Sequence, residues 1–284
     1  MPDREGFPPG VPCWIDLWPP EPDEAVAFYG GLFGWEFEER TPPGAGGRYL
    51  VAQLGGQDVA AIGDTEEPEA LAPEWSTYVC VGSAEDATAA VRAAGGRVDA
   101  GPFDLGDLGR SAVCAGPAGD AFRLWQPGTH RGAQVVNASG SWNWSDLHTR
   151  DPQGAVEFYG AVFGWVAATT GFGDALMWQL PGYGDFQAER DPALRERHAD
   201  PGVPAGFSDA IGWLQPIAAD TSPDDAPSHW HVTFAVDDAD ATAARAADLG
   251  GKVVAEPRDA GPVRLAEVAD PWGGAFTVSR YQPD

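Results

Sequence analysis

The sequence predicts an α+β protein made of two tandem domains, and three observations support this. The chain has 284 residues, more than one core usually holds, since domains average about 100 to 200 residues. The stretch AVAFYGGLFGWEF, which begins at residue 25, returns as AVEFYGAVFGWVA at residue 155. The stretch WSTYVCVGSAEDATAAVRAAGGRV at residue 75 returns as WHVTFAVDDADATAARAADLGGKV at residue 230. Two units, each present twice, predict four modules in two halves.

The first repeated stretch predicts a strand followed by an amphipathic helix. The segments CWIDLW and NWSDLH precede the two copies and alternate as strands do. In the second copy Asp151 and Pro152 are typical of a helix start, and Gly164 is typical of a helix end. Pro22 and Gly34 occupy the matching places in the first copy. Four apolar residues then recur at helical spacing and predict one buried stripe: Ala155, Phe158, Tyr159 and Val162.

The second repeated stretch predicts a strand, an Ala-rich helix closed by a glycine pair, and further strands. The segments GPAGDAFRL and DPWGGAFTV each combine a turn signal with a final strand. Every module is therefore βαβββ-like. We expect a first domain at 8–127, a linker at 128–140 and a second domain at 141–282. The Pro-rich stretch 190–228 is interpreted as an insertion in the second domain, either a binding loop or a packed surface excursion.

Composition excludes several classes of function. The formal net charge is −26, from 43 acidic and 17 basic residues, and such a surface repels phosphate backbones and anionic lipids. Nucleic-acid and membrane partners are therefore not expected. No apolar run approaches the roughly 20 residues that span a bilayer, and the N-terminal segment lacks a signal-peptide pattern, so we expect a cytoplasmic protein. The three cysteines have no metal-type spacing and are expected to be buried thiols.

The linked motifs resemble the vicinal oxygen chelate superfamily, which includes glyoxalase I, bleomycin-resistance proteins and extradiol dioxygenases. They are DLWPPEPDEAVAFYGGLFGW, DLHTRDPQGAVEFYGAVFGW, HVTFAVDDADATAARAADLGGKVV and DPWGGAF. The resemblance implies tandem glyoxalase-like domains, in each of which two βαβββ modules form a cupped sheet with helices outside and a ligand cavity within. It also implies that two fused domains can replace the dimer of smaller relatives, so we expect a monomer or a homodimer.

Catalytic members of the superfamily hold a divalent metal with His or Gln on the first strand of each module and Glu on the last. The matching residues here are Trp14, Ser76 and Arg123 in the first half, and Trp144, His231 and Thr277 in the second. An indole ring cannot ligate a metal, and a guanidinium is a cation. We therefore expect no metal cofactor. A displaced site for a divalent metal stays open, formed by His148, His231 and either Glu267 or Glu189.

The second half offers an alternative based on proton transfer. Strand residues two apart share a face, so Trp144, Asp146 and His148 are expected to point into the cup, where His231 and Glu267 would join them. We predict that the two histidines transfer protons and that Asp146 or Glu267 orients them. The first half keeps an aspartate at the matching position, residue 16, where it has no histidine. Both aspartates could therefore be structural.

The remaining candidates are expected to bind the ligand. They are Trp14, Trp144, Trp178, Tyr183, Asp185, Thr277 and Arg123. Tryptophans suit an aromatic or polyketide-like small molecule, and the flanking glycines of GYGDF would let backbone approach it. The preferred hypothesis is a tailoring enzyme that performs dehydration, cyclisation or isomerisation by metal-independent acid–base chemistry. The alternatives are a protein that sequesters a drug or intermediate unchanged, and a metal-dependent oxygenase or lyase with the displaced site.

Overall fold

The two halves of the chain form two eight-stranded sheets. The computed structural model describes residues 6–41, 46–64, 74–170, 173–199, 203–217 and 227–282. The first half contains β1 Pro12–Leu17, α1 Pro22–Phe33, β2 Glu36–Glu39, β3 Tyr49–Leu54, β4 Gln57–Gly63, β5 Ser76–Cys80, α2 Ala84–Ala93, β6 Arg97–Asp104, β7 Gly109–Ala115 and β8 Ala121–Pro127. The predicted tandem α+β architecture is confirmed.

The second half repeats this order with two short additional helices. It contains β9 Ser141–Thr149, α3 Pro152–Phe163, β10 Val166–Thr169, β11 Leu176–Gln179, α4 Tyr183–Ala188, α5 Leu194–Arg197, β12 Ala210–Pro216, β13 His229–Ala235, α6 Ala239–Asp248, β14 Lys252–Ala260, β15 Val263–Ala269 and β16 Ala275–Tyr281. Within the part of the chain that the structure describes, no helix is long and apolar enough to cross a membrane.

Both sheets have the same strand order. It is β2-β3-β4-β1-β5-β8-β7-β6 in the first and β10-β11-β12-β9-β13-β16-β15-β14 in the second. The first strands of two modules pair antiparallel at the centre of each sheet, with Asp16 opposite Ser76 and Asp146 opposite His231. This register identifies equivalent positions in the two domains. Helices cover the convex side of each sheet, so the concave sides form two cups.

The insertion assigned to 190–228 is too long. Ala210–Pro216 forms strand β12, which pairs in parallel with β9 and antiparallel with β11. Strand β12 is the equivalent of β4 and completes the third module. The additional chain before it contains α5 and a single 3₁₀ turn at Phe207–Asp209. The strand was missed because it is short and lies between Pro-rich polar segments, so only its pairing with β9 identifies it.

The predicted helix boundaries hold at both ends. In α3 the Asp151 side chain accepts a hydrogen bond from the Gly154 N–H, Pro152 opens the helix, and Gly164 closes it in the left-handed conformation. Helix α1 has the same proline start and a left-handed Gly34, but its N-cap Glu21 makes no side-chain capping bond. The two copies therefore share a C-terminal stop and differ at the N-cap.

The repeated helical motif forms the interface between the domains. The Tyr29 hydroxyl donates to Asp270 at 3.0 Å, and the Tyr159 hydroxyl donates to Asp120. Two tryptophans that follow the helices make a second reciprocal pair of bonds: Trp35 Nε1 to the Gly140 carbonyl and Trp165 Nε1 to the Gly10 carbonyl, both at 2.7 Å. Both hydrophobic cores contain residues of the two halves. Each domain is thus completed by the other.

Candidate functional site

The first cup contains a cavity of about 660 Å³. Aromatic side chains line much of it: Trp14, Trp18, Tyr49, Tyr78, Phe103 and Trp125. Trp18 packs so closely against strand β4 that a Cβ atom on Gly63 would lie 2.5 Å from its ring. The volume lies in the range of about 300–1,000 Å³ that is typical of small-molecule sites.

The floor of this cavity is a hydrogen-bonded network around Asp16. Tyr78 donates to Asp16 Oδ2 at 2.5 Å and Tyr49 donates to the same oxygen at 3.3 Å. The Trp14 indole donates in turn to the Tyr49 hydroxyl at 2.9 Å. Asp16 Oδ1 is buried and has no hydrogen-bond partner among the described residues. Its nearest cation is Arg123, whose Nε lies 4.0 Å away. Hydroxyl donors, a carboxylate and a guanidinium thus meet at one point.

Four of the 17 basic residues of this acidic chain line the first cup. Arg40 bonds Asp58 at 2.6 Å, and Arg48 bonds Asp64 at 3.0 Å. Arg123 and Arg131 make no hydrogen bond to a carboxylate among the described residues. The cavity is therefore less acidic than the rest of the molecule.

His130 from the linker forms part of the cavity wall. Its ring lies 4.5 Å from Trp14 in an edge arrangement and 5.5 Å from Trp125. The Trp125 indole donates to the His130 carbonyl at 2.9 Å, which fixes the linker against strand β8. Burial lowers the pKa of His130 to about 4, so the ring is neutral at physiological pH.

The second cup brings together the histidines that the sequence singled out. The ring of His148 lies 5.0 Å from that of His229 and 5.1 Å from that of His231. The Nε2 atom of His231 lies 2.9 Å from Thr277 Oγ1. Burial, together with repulsion from the neighbouring imidazoles, lowers the pKa of His148 to about 4 and that of His231 to about 3. Both rings are therefore neutral near pH 7.

Asp146 lies in this cup but does not bond an imidazole in the described structure. Its Oδ2 accepts from Thr233 at 3.3 Å, and its Oδ1 is buried without a partner among the described residues. Burial raises the pKa of Asp146 to about 7, since the Thr233 bond offsets only part of the desolvation. Thr233 occupies the register position of Tyr78, so each cup contains an aspartate with a hydroxyl donor.

Three other predicted residues also belong to the second cup. Trp144 is half-buried, and its ring lies 6.1 Å from both Phe207 and Trp213. Glu267 is directly opposite Thr277 in the pairing of β15 with β16, so the two side chains share a face. Among the described residues, no hydrogen bond joins Glu267 to Asp146 or to the histidines that it was predicted to orient.

Three predicted ligand-binding residues lie elsewhere. Trp178 is fully buried on the convex side, 5.9 Å from the Tyr159 ring and 5.5 Å from the Trp165 ring. Tyr183 and Asp185 belong to helix α4, where Tyr183 is buried in the hydrophobic core and Asp185 pairs with Arg195 at the surface. Strand β11 has four residues, too few to indicate which face Trp178 occupies, and the glycines of GYGDF start a helix instead of approaching a ligand.

Comparison with known proteins gives the family. Residues 13–124 match the Glyoxalase/Bleomycin resistance protein/Dioxygenase superfamily, and residues 144–279 match the Glyoxalase-like domain. A Mycobacterium tuberculosis protein named "Putative glyoxylase CFP32" is 36% identical over 286 residues, covering 100% of this chain and 99% of that protein. The chain belongs to the glyoxalase/bleomycin resistance/dioxygenase superfamily. The resemblance to the vicinal oxygen chelate proteins is thus confirmed.

Further members of this superfamily are similar along most of the chain. The Streptomyces peucetius protein named "Anthracycline biosynthesis protein DnrV" is 34% identical over 287 residues, covering 96% of this chain and 94% of that protein. Among solved structures, the Mn(II)-bound glyoxalase from Novosphingobium aromaticivorans matches with a TM-score of 0.60 and 16% identity, over 95% of this chain and 82% of that one. The 2,3-dioxygenase LapB from Pseudomonas sp. KL28 matches with a TM-score of 0.60 and 12% identity, over 97% of both chains. These structures share the fold.

The superfamily implies a divalent metal, and the donor set of this chain does not fit one. Trp14 and Arg123 cannot donate to a metal, and Trp144 and Thr277 leave His231 as the single imidazole at the superfamily positions of the second cup. In the displaced site Glu189 is exposed at the end of α4, and the structure does not group Glu267 with His148 and His231 in an arrangement that could hold a metal ion among the described residues. Among the described residues no group of three or more His, Cys, Asp or Glu side chains is placed to hold a metal ion.

Sequence reasoning missed several residues of the first cup. Tyr49, Tyr78, Trp18 and His130 were not predicted, because none of them stands at a metal-ligand position of the superfamily. Two signals were present. Trp18 stands 130 residues before His148, and Tyr78 stands two residues after Ser76 on the same strand face. The contribution of His130 depends on the path of the linker and left no such signal.

Proposed function

We propose that the protein is a small-molecule tailoring enzyme of secondary metabolism that binds an aromatic, polyketide-like substrate in the first cup. The observation that carries this proposal is the 660 Å³ cavity with aromatic walls above the Asp16 network. The similarity to DnrV supports it, since that protein is named for the biosynthesis of anthracyclines, which are fused-ring aromatic compounds. Flat rings gain stabilisation from stacking on indole and phenol side chains.

The chemistry that fits this cup is acid–base catalysis by side chains. Burial raises the pKa of Tyr78 well above its usual value, so its hydroxyl stays neutral and keeps its single hydrogen, which it donates to Asp16. Asp16 accepts the hydrogen bond of Tyr78 and can take a proton relayed through it. Arg123 adds a positive charge beside the same point. Removal of a proton next to a carbonyl group would start a dehydration, a cyclisation or an isomerisation.

Binding can be tested with a neutral aromatic probe, anthraquinone-2-carboxamide, titrated against the intrinsic tryptophan fluorescence. Gly63→Ala displaces Trp18 from the wall and is expected to weaken binding about tenfold, in line with the cost of overpacking. Gly82→Ala is the matched control, because its new Cβ meets nothing closer than Pro9 at 4.0 Å. A wild-type protein that does not bind the probe, or equal affinities in the two variants, would contradict the proposed site.

A second candidate places catalysis in the second cup, with His231, His148, Asp146 and Glu267 as the sequence predicted. The observation that favours it is the pKa of Asp146 at about 7, which makes this carboxyl able to give and accept a proton near neutral pH. In this version Asp146 transfers the proton, and the neutral imidazoles bind the substrate by hydrogen bonds.

Exchange of the α-hydrogens of 1-tetralone in D₂O, followed by NMR, separates the two cups. Tyr78→Phe should abolish exchange if the first cup is catalytic, whereas Asp146→Asn should abolish it if the second is. A wild-type protein that binds the carboxamide probe but exchanges no faster than buffer would favour the sequestering alternative.

A further inference from the structure

Arg123 belongs to β8 and lines the first cup, and it donates no hydrogen bond to the described residues. Its guanidinium carbon lies 5.5 Å from the Tyr78 ring centre and 5.8 Å from that of Trp18. Only 19% of its side chain is exposed, and its closest carboxylate contact, to Asp16 Oδ1, is 4.0 Å. A guanidinium has five N–H donors in a planar fork and stays charged. Its N–H donors are not among the buried atoms of the described residues that lack a partner and they border the cavity, so an acceptor on a bound ligand can reach them.

The neighbouring charges do not provide that acceptor. Asp58 and Asp64 are bonded to Arg40 and Arg48. Asp16 already accepts the hydroxyls of Tyr78 and Tyr49 with its other oxygen. Arg123 thus has a charge partner in Asp16 but no oxygen of the described residues within hydrogen-bond distance, and it lines the cavity.

We propose that Arg123 recognises an anionic oxygen on the ligand, an ionised aromatic hydroxyl or an aryl carboxylate, while the aromatic walls hold a fused-ring system. This inference rests on the proposed binding function of the first cup. A planar guanidinium can donate two parallel bonds to the two oxygens of a carboxylate, or converging bonds to the one oxygen of an ionised hydroxyl, and bonds between charged groups are about twice as strong as neutral ones. Arg131 lines the same cavity and adds positive charge.

The second cup offers an internal comparison. In the first domain Arg123 of β8 pairs with Tyr78 of β5. In the second domain Thr277 of β16 pairs with Thr233 of β13, so Thr277 occupies the position equivalent to Arg123. Thr277 is bonded to His231, which is neutral near pH 7. The two cups of one chain therefore differ in charge at an equivalent place, and the preference for an anion belongs to the first cup.

The test compares two probes of matched shape, anthraquinone-2-carboxylate and anthraquinone-2-carboxamide, by fluorescence titration. The wild type should bind the carboxylate about 10- to 100-fold more tightly, the factor that a charge-assisted bond supplies. Arg123→Met should lose this preference and keep the carboxamide affinity within about threefold. Arg92→Met, at an exposed position of α2, is the control and should behave as the wild type.

The wild-type comparison stays decisive if Arg123→Met does not fold, and Arg123→Lys then provides a charged variant without the planar fork. Equal wild-type affinities for the two probes would overturn this inference and leave the cavity proposal intact. Binding of neither probe would overturn the proposed function itself. A hydroxyanthraquinone that binds tightly only above the pH of its own ionisation would assign the anion to a hydroxyl, and a preference confined to the carboxylate probe would assign it to a carboxylate.

Discussion

Asp146 is a buried residue of the second cup whose protonation affects the stability of the fold. Its pKa is about 7 in the folded protein, whereas a free aspartate has a pKa of about 3.9. The folded state therefore holds a proton that the unfolded chain releases. Between these two values a rising pH destabilises the protein, because the buried carboxyl must lose its proton.

Asp146→Asn should remove this pH-dependent cost. The variant is expected to be more stable than the wild type at pH 8, by up to about 4 kcal/mol, with the difference shrinking as the pH falls through 7 and disappearing near 4. Thermal unfolding of both proteins from pH 4 to 8 measures it, and the other buried carboxyls cancel in the comparison. A stability difference that is the same at pH 5 and pH 8 would contradict the burial of this carboxyl.

Single residues were the hardest level to predict. The sequence predicted that Trp144, Asp146 and His148 share a face by strand alternation, and the resemblance to the superfamily added His231 to the same cup. It could not show that Asp146 bonds Thr233 instead of an imidazole, because that choice depends on distances of a few tenths of an ångström between strands. The face of the sheet that Trp178 occupies could not be predicted for a related reason. Strand β11 has only four residues, and its pairing with β10 and β12 decides which face each of them occupies.

At the level of elements, the two copies of the repeated helix differ in one cap. Asp151 accepts the Gly154 N–H at 2.9 Å, and Glu21 in the other copy makes no side-chain cap. A short carboxylate side chain reaches the free N–H groups of the first turn, whereas the longer glutamate does so less well.

Asp151→Ala should therefore cost about 1 kcal/mol of unfolding free energy, and Glu21→Ala should cost a few tenths at most. Urea denaturation of the two variants side by side gives the comparison, with equivalent positions of the same motif as matched sites. Equal losses would mean that the Asp151 bond contributes nothing in solution.

Elements with local signals were predicted and elements without them were not. Helices α1 and α3 have proline starts, glycine ends and an apolar stripe, all within one segment. Strand β12 has none of these and depends on β9 and β11 for its identity. Helix α4 was not predicted, because its first residues lie between glycines and its six residues are too few to show a period.

At the level of the whole molecule, the repeated motif explains how the domains are joined. Tyr29 also accepts the Trp75 indole at 3.1 Å, and Tyr159 accepts the Trp230 indole at 3.0 Å, so each tyrosine connects a tryptophan to a carboxylate across the interface. Asp120 and Asp270 occupy opposite ends of the same type of turn. In the first domain the Gly116 N–H donates to the Asp120 carbonyl, so the aspartate is the last residue of the turn. In the second domain the Asp270 N–H donates to the Gly274 carbonyl, so the aspartate is the first. The carboxylate has changed its place in the turn, and the contact with tyrosine is present in both halves.

Tyr159→Phe should destabilise both domains together. The change leaves Asp120 without its buried donor, at a cost of about 1–3 kcal/mol, and because both cores contain residues of the two halves the loss cannot stay in one domain. We expect a single unfolding transition and faster hydrogen exchange in peptides from β8 as well as α3. Tyr183→Phe is the control, since Tyr183 is also a buried residue and its hydroxyl makes no hydrogen bond to the described residues. Two separate unfolding transitions, or faster exchange confined to the second half, would show that the domains unfold independently. The reciprocal bonds of Tyr29 and Tyr159 would then orient the two domains without coupling their stability.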